Sequence, residues 1–579
     1  LKIFFSRHFP ALALALACAA GAHAQAIPPV GNSSSTVQPS ALPLTAYVPI
    51  DSWAYAAIDR LHALGFVDTA YLDLKPYTRL SIDTMLDRSS DAIHASSSEE
   101  AMEIYDALEA AYGKTWTEDE NPSNLQAAVE STYTRSTGIA GLPLRDSFHL
   151  GQTIANDYGR PYQQGYNGID GFSAAASKGR LSLYVRGEYQ RAASATGYNT
   201  TLADQLAALD LTPYATNPNQ ATIPLGPIAT TDVFRIVEAN LSYNLGGHQF
   251  SFGKMDRWLG PALGGSFAYS NNAENIYTFQ IDRVEPLSIP LLSRLIGPVR
   301  YIFFVGSLKG HTDPNDPWMH VEKISFKPTP NLEFGFERSV IWGGQGHVPI
   351  TLHTFFRSFF STANVTPAIK NSPLDPGARF GTFDFSYRLP FVRNWFTLYT
   401  DSLSHDDVSP VDAPRRAGVR PGLYLSHVPG IPRLDIRAEA ADTDPVTSRS
   451  TRGAFLYAEG IQLQGYTNKG FIMGDAIGRE DKGGNAWITY HLSPLEQIAI
   501  SYRRVKAAKD FIAGGTTQDD YKVSLVKRLR PEFELRADVQ YESWKAPIYD
   551  ASLGLPTHGH SDTVAEAQLT WFPKLSITH

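Results

Sequence analysis

Apolar residues recur at every second position from about Leu125 onward, most plainly over residues 483–572. Phe533, Leu535, Ala537, Val539 and Tyr541 alternate with Glu534, Arg536, Asp538, Gln540 and Glu542. Ile498, Ile500 and Tyr502 alternate with Gln497, Ala499, Ser501 and Arg503, and Ala565, Ala567, Leu569 and Trp571 with Val564, Glu566, Gln568 and Thr570. A period of two predicts strands with one apolar and one polar face. Leu181, Leu183 and Val185, then Leu332, Phe334 and Phe336, then Phe383, Phe385 and Tyr387 extend the pattern upstream.

The connections alternate as well. Ser493-Pro494-Leu495 and Arg530-Pro531 are short, whereas residues 506–518 and 545–561 are long. Further tight turns fall at Gly246-Gly247, at 328–331 and at 390–394. Short turns on one side and long loops on the other predict an antiparallel outer-membrane β-barrel, with the loops outside and the turns in the periplasm. Strands of about ten residues suit a tilted membrane strand. Residues 125–572 have room for roughly sixteen to twenty of them. A soluble antiparallel sheet is the competing reading, since its strands also alternate. Tyr490, Tyr541 and Trp571, near strand ends, suit the interfacial aromatic girdle. Charges of both signs face inward, which fits either an open pore or a lumen crossed by ion pairs. Residues 195–231 and 364–376 are long enough to close the mouth.

Before the strands the period is helical. Asp51 or Ser52 caps a stripe of Trp53, Ala57, Leu61 and Leu64 that Gly65 ends; a second helix starts at Thr78, and a third carries Glu99, Glu100, Ile104, Leu108 and Ala111 before Gly113. These predict a small periplasmic bundle over residues 47–124, followed by a barrel over 125–579. Residues 25–46, rich in Pro, Ser and Thr, read as a linker. Residues 1–24 read as a signal peptide for Sec-type export, from Lys2 and Arg7, the apolar run 10–20 and Ala22-His23-Ala24. The single cysteine, Cys18, lies in that segment in a context that fits a lipobox poorly. Its loss leaves no thiol for a disulfide or metal. Loss of Lys2 and Arg7 takes the formal charge from -8 to -10, which argues against a nucleic-acid partner.

Gly253-Lys254-Met255-Asp256-Arg257-Trp258-Leu259-Gly260-Pro261, followed by Tyr269-Ser270-Asn271-Asn272-Ala273, and Ile341-Trp342-Gly343-Gly344-Gln345-Gly346 resemble the Wzi-type capsule assembly proteins. The resemblance implies an eighteen-stranded outer-membrane barrel with a periplasmic helical bundle. It also implies a lectin-like, non-enzymatic role: holding capsular or extracellular polysaccharide at the cell surface, with no cofactor. The bundle is then the part placed to meet the polysaccharide export machinery, and outer-membrane lipid surrounds the barrel. Two departures stand out: Trp258-Leu259 replaces a pair of tryptophans, and the chain runs past its last aromatic strand residues to His579. A weaker resemblance, through Asp51-Ser52-Trp53-Ala54-Tyr55 and Tyr77-Thr78-Arg79, is to an S-layer-homology module; it implies a general diffusion porin with a wall-binding helical module.

Sugar binding needs flat rings to stack on pyranose faces and planar polar groups for hydroxyls. Asp256, Arg257, Trp258, Asn271 and Asn272 supply these together, and Trp342 with His347 is a second candidate pair. The plainer alternative is that Asp256 and Arg257 pair inside the barrel, Trp258 packs a loop and the glycines after Trp342 form a turn. His558 and His560, flanking Gly559 in a predicted outer loop, read as solvated imidazoles and not metal ligands. Neither H-E-x-x-H nor G-x-S-x-G occurs; a Ser/His pair joined only in space is the one enzymatic alternative left open.

Overall fold

The computed structural model describes residues 37–40, 42–113, 125–213, 220–362, 365–405, 416–445, 453 and 455–578. The signal-peptide reading of residues 1–24 and most of the 25–46 linker lie outside them.

The expected strands are present. They are β1 (Leu125–Ile139), β2 (Gly165–Lys178), β3 (Leu181–Ala192), β4 (Thr231–Leu245), β5 (His248–Lys254) and β6 (Tyr277–Arg283). Then come β7 (Val299–Ser307), β8 (Trp318–Thr329), β9 (Leu332–Trp342), β10 (Ala378–Arg388), β11 (Phe396–His405) and β12 (Gly418–Leu425). The last are β13 (Leu434–Asp442), β14 (Asp481–Ser493), β15 (Glu496–Ala507), β16 (Thr516–Arg530), β17 (Phe533–Lys545) and β18 (His560–Trp571), with a short β19 (Leu575–Thr578). Each pairs antiparallel with its sequence neighbour, and β1 closes the ring on β18 from Thr132↔Trp571 to Ile139↔Val564. β19 continues β18 along β1 after a break at 572–574, so the 19-stranded sheet is an eighteen-strand barrel. Closure leaves no unpaired edge, which is what a sheet needs to cross a bilayer. At the Gly246-Gly247 turn both φ angles are positive, +59° and +76°, as a two-residue hairpin requires.

The alternation sorts as the spacing predicts. Leu183, Leu241, Phe252, Phe279, Ile324, Phe336, Ile488, Ile500, Val523 and Leu569 stand exposed around the outside, with Tyr490, Tyr541 and Trp571 among them. A ring of large apolar side chains turned away from the protein is a lipid-facing belt. Their partners one residue along, such as Glu333, Lys323, Asp384 and Glu534, point inward and are buried.

Three helices precede the barrel: α1 (Trp53–Ala63), α2 (Arg79–His94) and α3 (Glu99–Tyr112), capped by Ser52, Thr78 and Ser98. None is long and apolar enough to cross a membrane. The bundle is seated on the periplasmic turns. Arg60 of α1 pairs with Glu100 at 2.8 Å and donates to the Pro432 carbonyl at 3.0 Å, and Glu103 holds Arg433 at 2.7 Å.

The connection between α1 and α2 goes further: it enters the barrel. Asp68 pairs with Arg388 and Arg393, and Tyr71 donates to the Pro298 carbonyl at 2.6 Å. Asp73 accepts from Ser325 at 2.6 Å and lies 3.6 Å from Lys323, which also pairs with Asp384. Lys75 makes a two-way backbone bridge with Trp258 at 3.1 and 3.2 Å. Trp258 belongs to the long outer loop 255–276, so segments entering from the two ends of the barrel meet inside it. The mixed inward charges are therefore the ion pairs of a plugged lumen, including Arg420 between Glu439 and Asp475, and Arg300 with Asp282.

Outside the lumen, α4 (Thr200–Leu209) caps the mouth from the loop after β3, and α5 (Leu352–Phe360) belongs to the loop after β9.

Candidate functional site: an outer cleft over a sealed lumen

The described parts of three outer loops, 140–164, 193–230 and 443–480, build the cap at the mouth. Their joint is electrostatic. His149 sits between Asp146 and Asp210, 2.8 Å from each, and Arg479 reaches Asp210 at 2.7 Å while lying over the Phe148 ring. Burial pulls the His149 pKa down, but the two carboxylates outweigh it and push the value up to about 9. The ring is therefore an imidazolium at neutral pH, and it ties the first loop to the end of α4.

A cleft of about 210 Å³ lies between these three loops. Its walls include Arg145, Arg160, Tyr162, Gln163, Lys469 and Phe471. A smaller hollow of about 50 Å³ adjoins it, sharing Leu144, Arg145 and Gln163 and adding Tyr198 and Trp544. Thr467–Asn468 and Phe471–Ile472 form a small hairpin that holds Phe471 at the rim. Arg160 is committed to Glu188 and Asp157, and Lys469 to Glu274. Arg145 is different: among the described residues its guanidinium has no hydrogen bond or ion pair. Burial pulls its pKa below the usual arginine value, with Tyr198 and Asp146 only partly compensating; the group remains a cation. The cleft thus combines an available guanidinium with the partly exposed Phe471 ring, and the buried Tyr162 ring also lines it.

Of the sequence-predicted residues, Asn271 and Asn272 brace the loops that line this cleft. Asn271 and Asn272 accept through their carbonyls from the Tyr158 and Gly159 amides at 2.6 and 2.9 Å, and the Asn272 side chain donates to the Ile472 carbonyl at 3.0 Å. They staple the first loop to the small hairpin. Asp256 accepts from Tyr158 at 2.8 Å and from Asn275 at 2.7 Å. Arg257 is fully buried; it donates to Gln280 at 2.7 Å and to Thr278 and lies 4.0 Å over the Phe304 ring. Asp256 and Arg257 therefore bond other elements and not each other. The Trp258 indole donates to the Ala262 carbonyl at 3.0 Å, in the lumen. His347 pairs with Asp375 at 2.8 Å in the loop after β9. Trp342 shares the parity of the exposed Phe336, so it faces outward from β9, yet it is 1% exposed because α5 covers it. His558 and His560 are not free in solvent: Asp550 takes both, at 3.2 and 2.9 Å, and His560 stacks on Trp544.

Arg145, Tyr162, Gln163 and Phe471 carried no spacing motif. The one available signal was Asn468-Lys469-Gly470, a turn sequence inside a long loop.

Comparison with known proteins places this arrangement. The solved barrel of Wzi from Escherichia coli, an outer-membrane protein involved in group 1 capsule assembly and a carbohydrate-binding β-barrel, superposes with a TM-score of 0.64 at 15% identity, over 92% of this chain and 100% of that one. A 55.8 kDa protein in the cps region of Klebsiella pneumoniae is 25% identical over 160 residues, 28% of this chain. The chain thus matches 31% of that relative's length. Residues 135–554 match the family described as capsule assembly protein Wzi, and the chain belongs to that family.

Proposed function

We propose that the outer cleft binds a run of acidic capsular or extracellular polysaccharide and holds it at the cell surface without chemical turnover. The carrying observation is the available Arg145 guanidinium in one cleft with Phe471 and Tyr162, at the mouth of a barrel whose lumen is filled. A guanidinium offers a planar fork to a uronate carboxylate, and an aromatic ring stacks on a pyranose face. Membership of the capsule assembly family and the carbohydrate binding of the E. coli relative support the reading. Each contact is modest, so retention comes from many copies gripping one polymer. In this reading Asp256, Arg257, Asn271 and Asn272 serve the polymer indirectly, by fixing the loops that shape the cleft. The reading also keeps a signal segment over 1–24, a linker over 25–46 and a periplasmic bundle over 47–124, with the barrel from 125. The bundle faces the export machinery.

Binding of a uronate-containing capsular polysaccharide to the detergent-solubilised barrel tests this. Arg145→Ala is expected to weaken binding about tenfold, a loss of about 1.4 kcal/mol, and Phe471→Ala to weaken binding of acidic and neutral polymers alike. Polymer length should be unchanged after incubation. If both variants bind like wild type, the cleft is the wrong surface; if the polymer shortens, the reading without turnover fails.

A further inference from the structure

Three polar side chains sit on the wrong side of the barrel. His320, Glu322 and Arg338 share the parity of Ile324 and Phe336, which are 51% and 40% exposed on the outer face. His320 and Glu322 are therefore outward-facing near the outer end of β8, and Arg338 stands directly across from Glu322 on β9. A charge on the lipid face is costly unless something shelters it.

Helix α5 is the shelter. It lies against the outer wall, not over the mouth. Phe355 and Phe359 pack on the outward-facing Phe303 at 6.2 and 6.1 Å and on His320 at 5.5 and 5.7 Å, and Phe355 meets Trp342 at 5.8 Å. The His320 ring reaches the Ser358 hydroxyl at 2.6 Å, and Arg338 donates to the Ser358 and Ser361 carbonyls at 2.9 and 2.8 Å, closing the helix C-terminus. At the other end Thr351 and Thr354 form a capping box. The helix is therefore held on the outside of the barrel by its packed face and its C-terminus, and its N-terminus is closed locally.

Among the described residues its other face has no partner outside the helix. Leu352, Phe356 and Phe360, at i, i+4 and i+8, are 77%, 51% and 70% exposed, and Leu374 beyond the helix is 56% exposed. This stripe lies beside the Ile324 and Phe336 belt at its outer end. Next to it around the helix stand His353 and Arg357, 2.9 Å apart, with Arg357 also donating to the Pro373 carbonyl at 2.7 Å. An apolar stripe edged by a cation, Arg357, whose guanidinium donates to the His353 ring, and lying beside a lipid-facing belt, is how an interfacial helix is built.

We propose that α5 is a lipid-binding helix bedded in the outer leaflet. Acyl chains cover Leu352, Phe356 and Phe360, and Arg357, steadied by the His353 ring that accepts from it, takes the phosphate of an anionic lipid headgroup. The helix anchors the loop that follows β9 and keeps water from His320, Glu322 and Arg338. This reading does not depend on the polysaccharide cleft.

The test uses the full chain, carrying Cys18→Ser so that each introduced cysteine is its single thiol, in phosphatidylcholine vesicles containing phosphatidylglycerol. A nitroxide is placed at Phe356→Cys, an exposed position whose change leaves the packed face intact. Reference labels go at Phe336→Cys in the belt and at Gln345→Cys in an exposed loop. The label on α5 is expected to collide with oxygen in preference to a water-soluble nickel chelate, as the belt label does. Chelate-dominated collision, matching the Gln345 reference, overturns the proposal. For the headgroup, spin-labelled phosphatidylglycerol is expected to be retained over phosphatidylcholine, and Arg357→Gln to reduce that preference severalfold. A preference unchanged in Arg357→Gln, or abolished by added inorganic phosphate, overturns the anionic-lipid assignment.

Discussion

Lys323→Met is expected to destabilise the barrel by about 3–5 kcal/mol, the usual cost of leaving buried charge without its partner. Lys323 is fully buried in the lumen, paired with Asp384 and 3.6 Å from Asp73. Its removal leaves carboxylates from the wall and from the N-terminal segment facing each other with no cation between them. Asp73 also spends its backbone amide on Glu333 at 3.0 Å, so the loss reaches the grip between bundle and barrel. Midpoint temperatures of folded-to-unfolded conversion, read from gel mobility after heating in detergent, measure the effect. Asp384→Asn added to Lys323→Met should recover part of the loss, because one buried charge has been removed. Equal stability of wild type and Lys323→Met would show that this group does not hold the plug.

The second large effect concerns pH. His149 titrates at about 9 in the fold, against about 6.5 unfolded. Its folded value is the higher one. The clamp therefore contributes its full stabilisation, on the order of 3 kcal/mol, below about pH 6.5 and loses it as pH rises through about 9. Burial raises the pKa of its partner Asp210, but His149 and Arg479 outweigh that and hold it below the ordinary carboxylate value. That part of the joint fails only in acid. The outer loops should resist subtilisin at pH 7 and be cut much faster at pH 10, with rates normalised to an unfolded peptide. In His149→Leu they should be cut fast at both. Cutting that does not depend on pH in the wild type would mean that the imidazolium does not join these loops.

How much of this was legible before the structure depends on what each residue answers to. The barrel strands obey a local rule, because each side chain meets either lipid or lumen, and Phe533 to Glu542 therefore wrote their own alternation. The same rule applied further along β9 would have put Trp342 on the outside with Phe334 and Phe336; the glycines after it drew attention to a turn instead. The plug was not legible. Asp68, Asp73 and Lys75 read like any polar link between two helices, and their partners Arg388, Lys323 and Trp258 lie far away in sequence. The stretch 253–261 together with 269–273 is conspicuous because it packs and braces. Asp256, Asn271 and Asn272 hold the loops, whereas the exposed chemistry belongs to Arg145 and Phe471, single residues in loops with no periodicity to reveal them.

The sealed lumen is what separates a surface anchor from a diffusion pore, and planar-bilayer recording reads it directly. Purified wild-type protein is expected to insert without giving a steady open channel, and Lys323→Met to show more frequent brief openings as the plug loosens. A large, steady conductance from the wild-type chain would contradict the filled lumen and the surface-anchor account built on it.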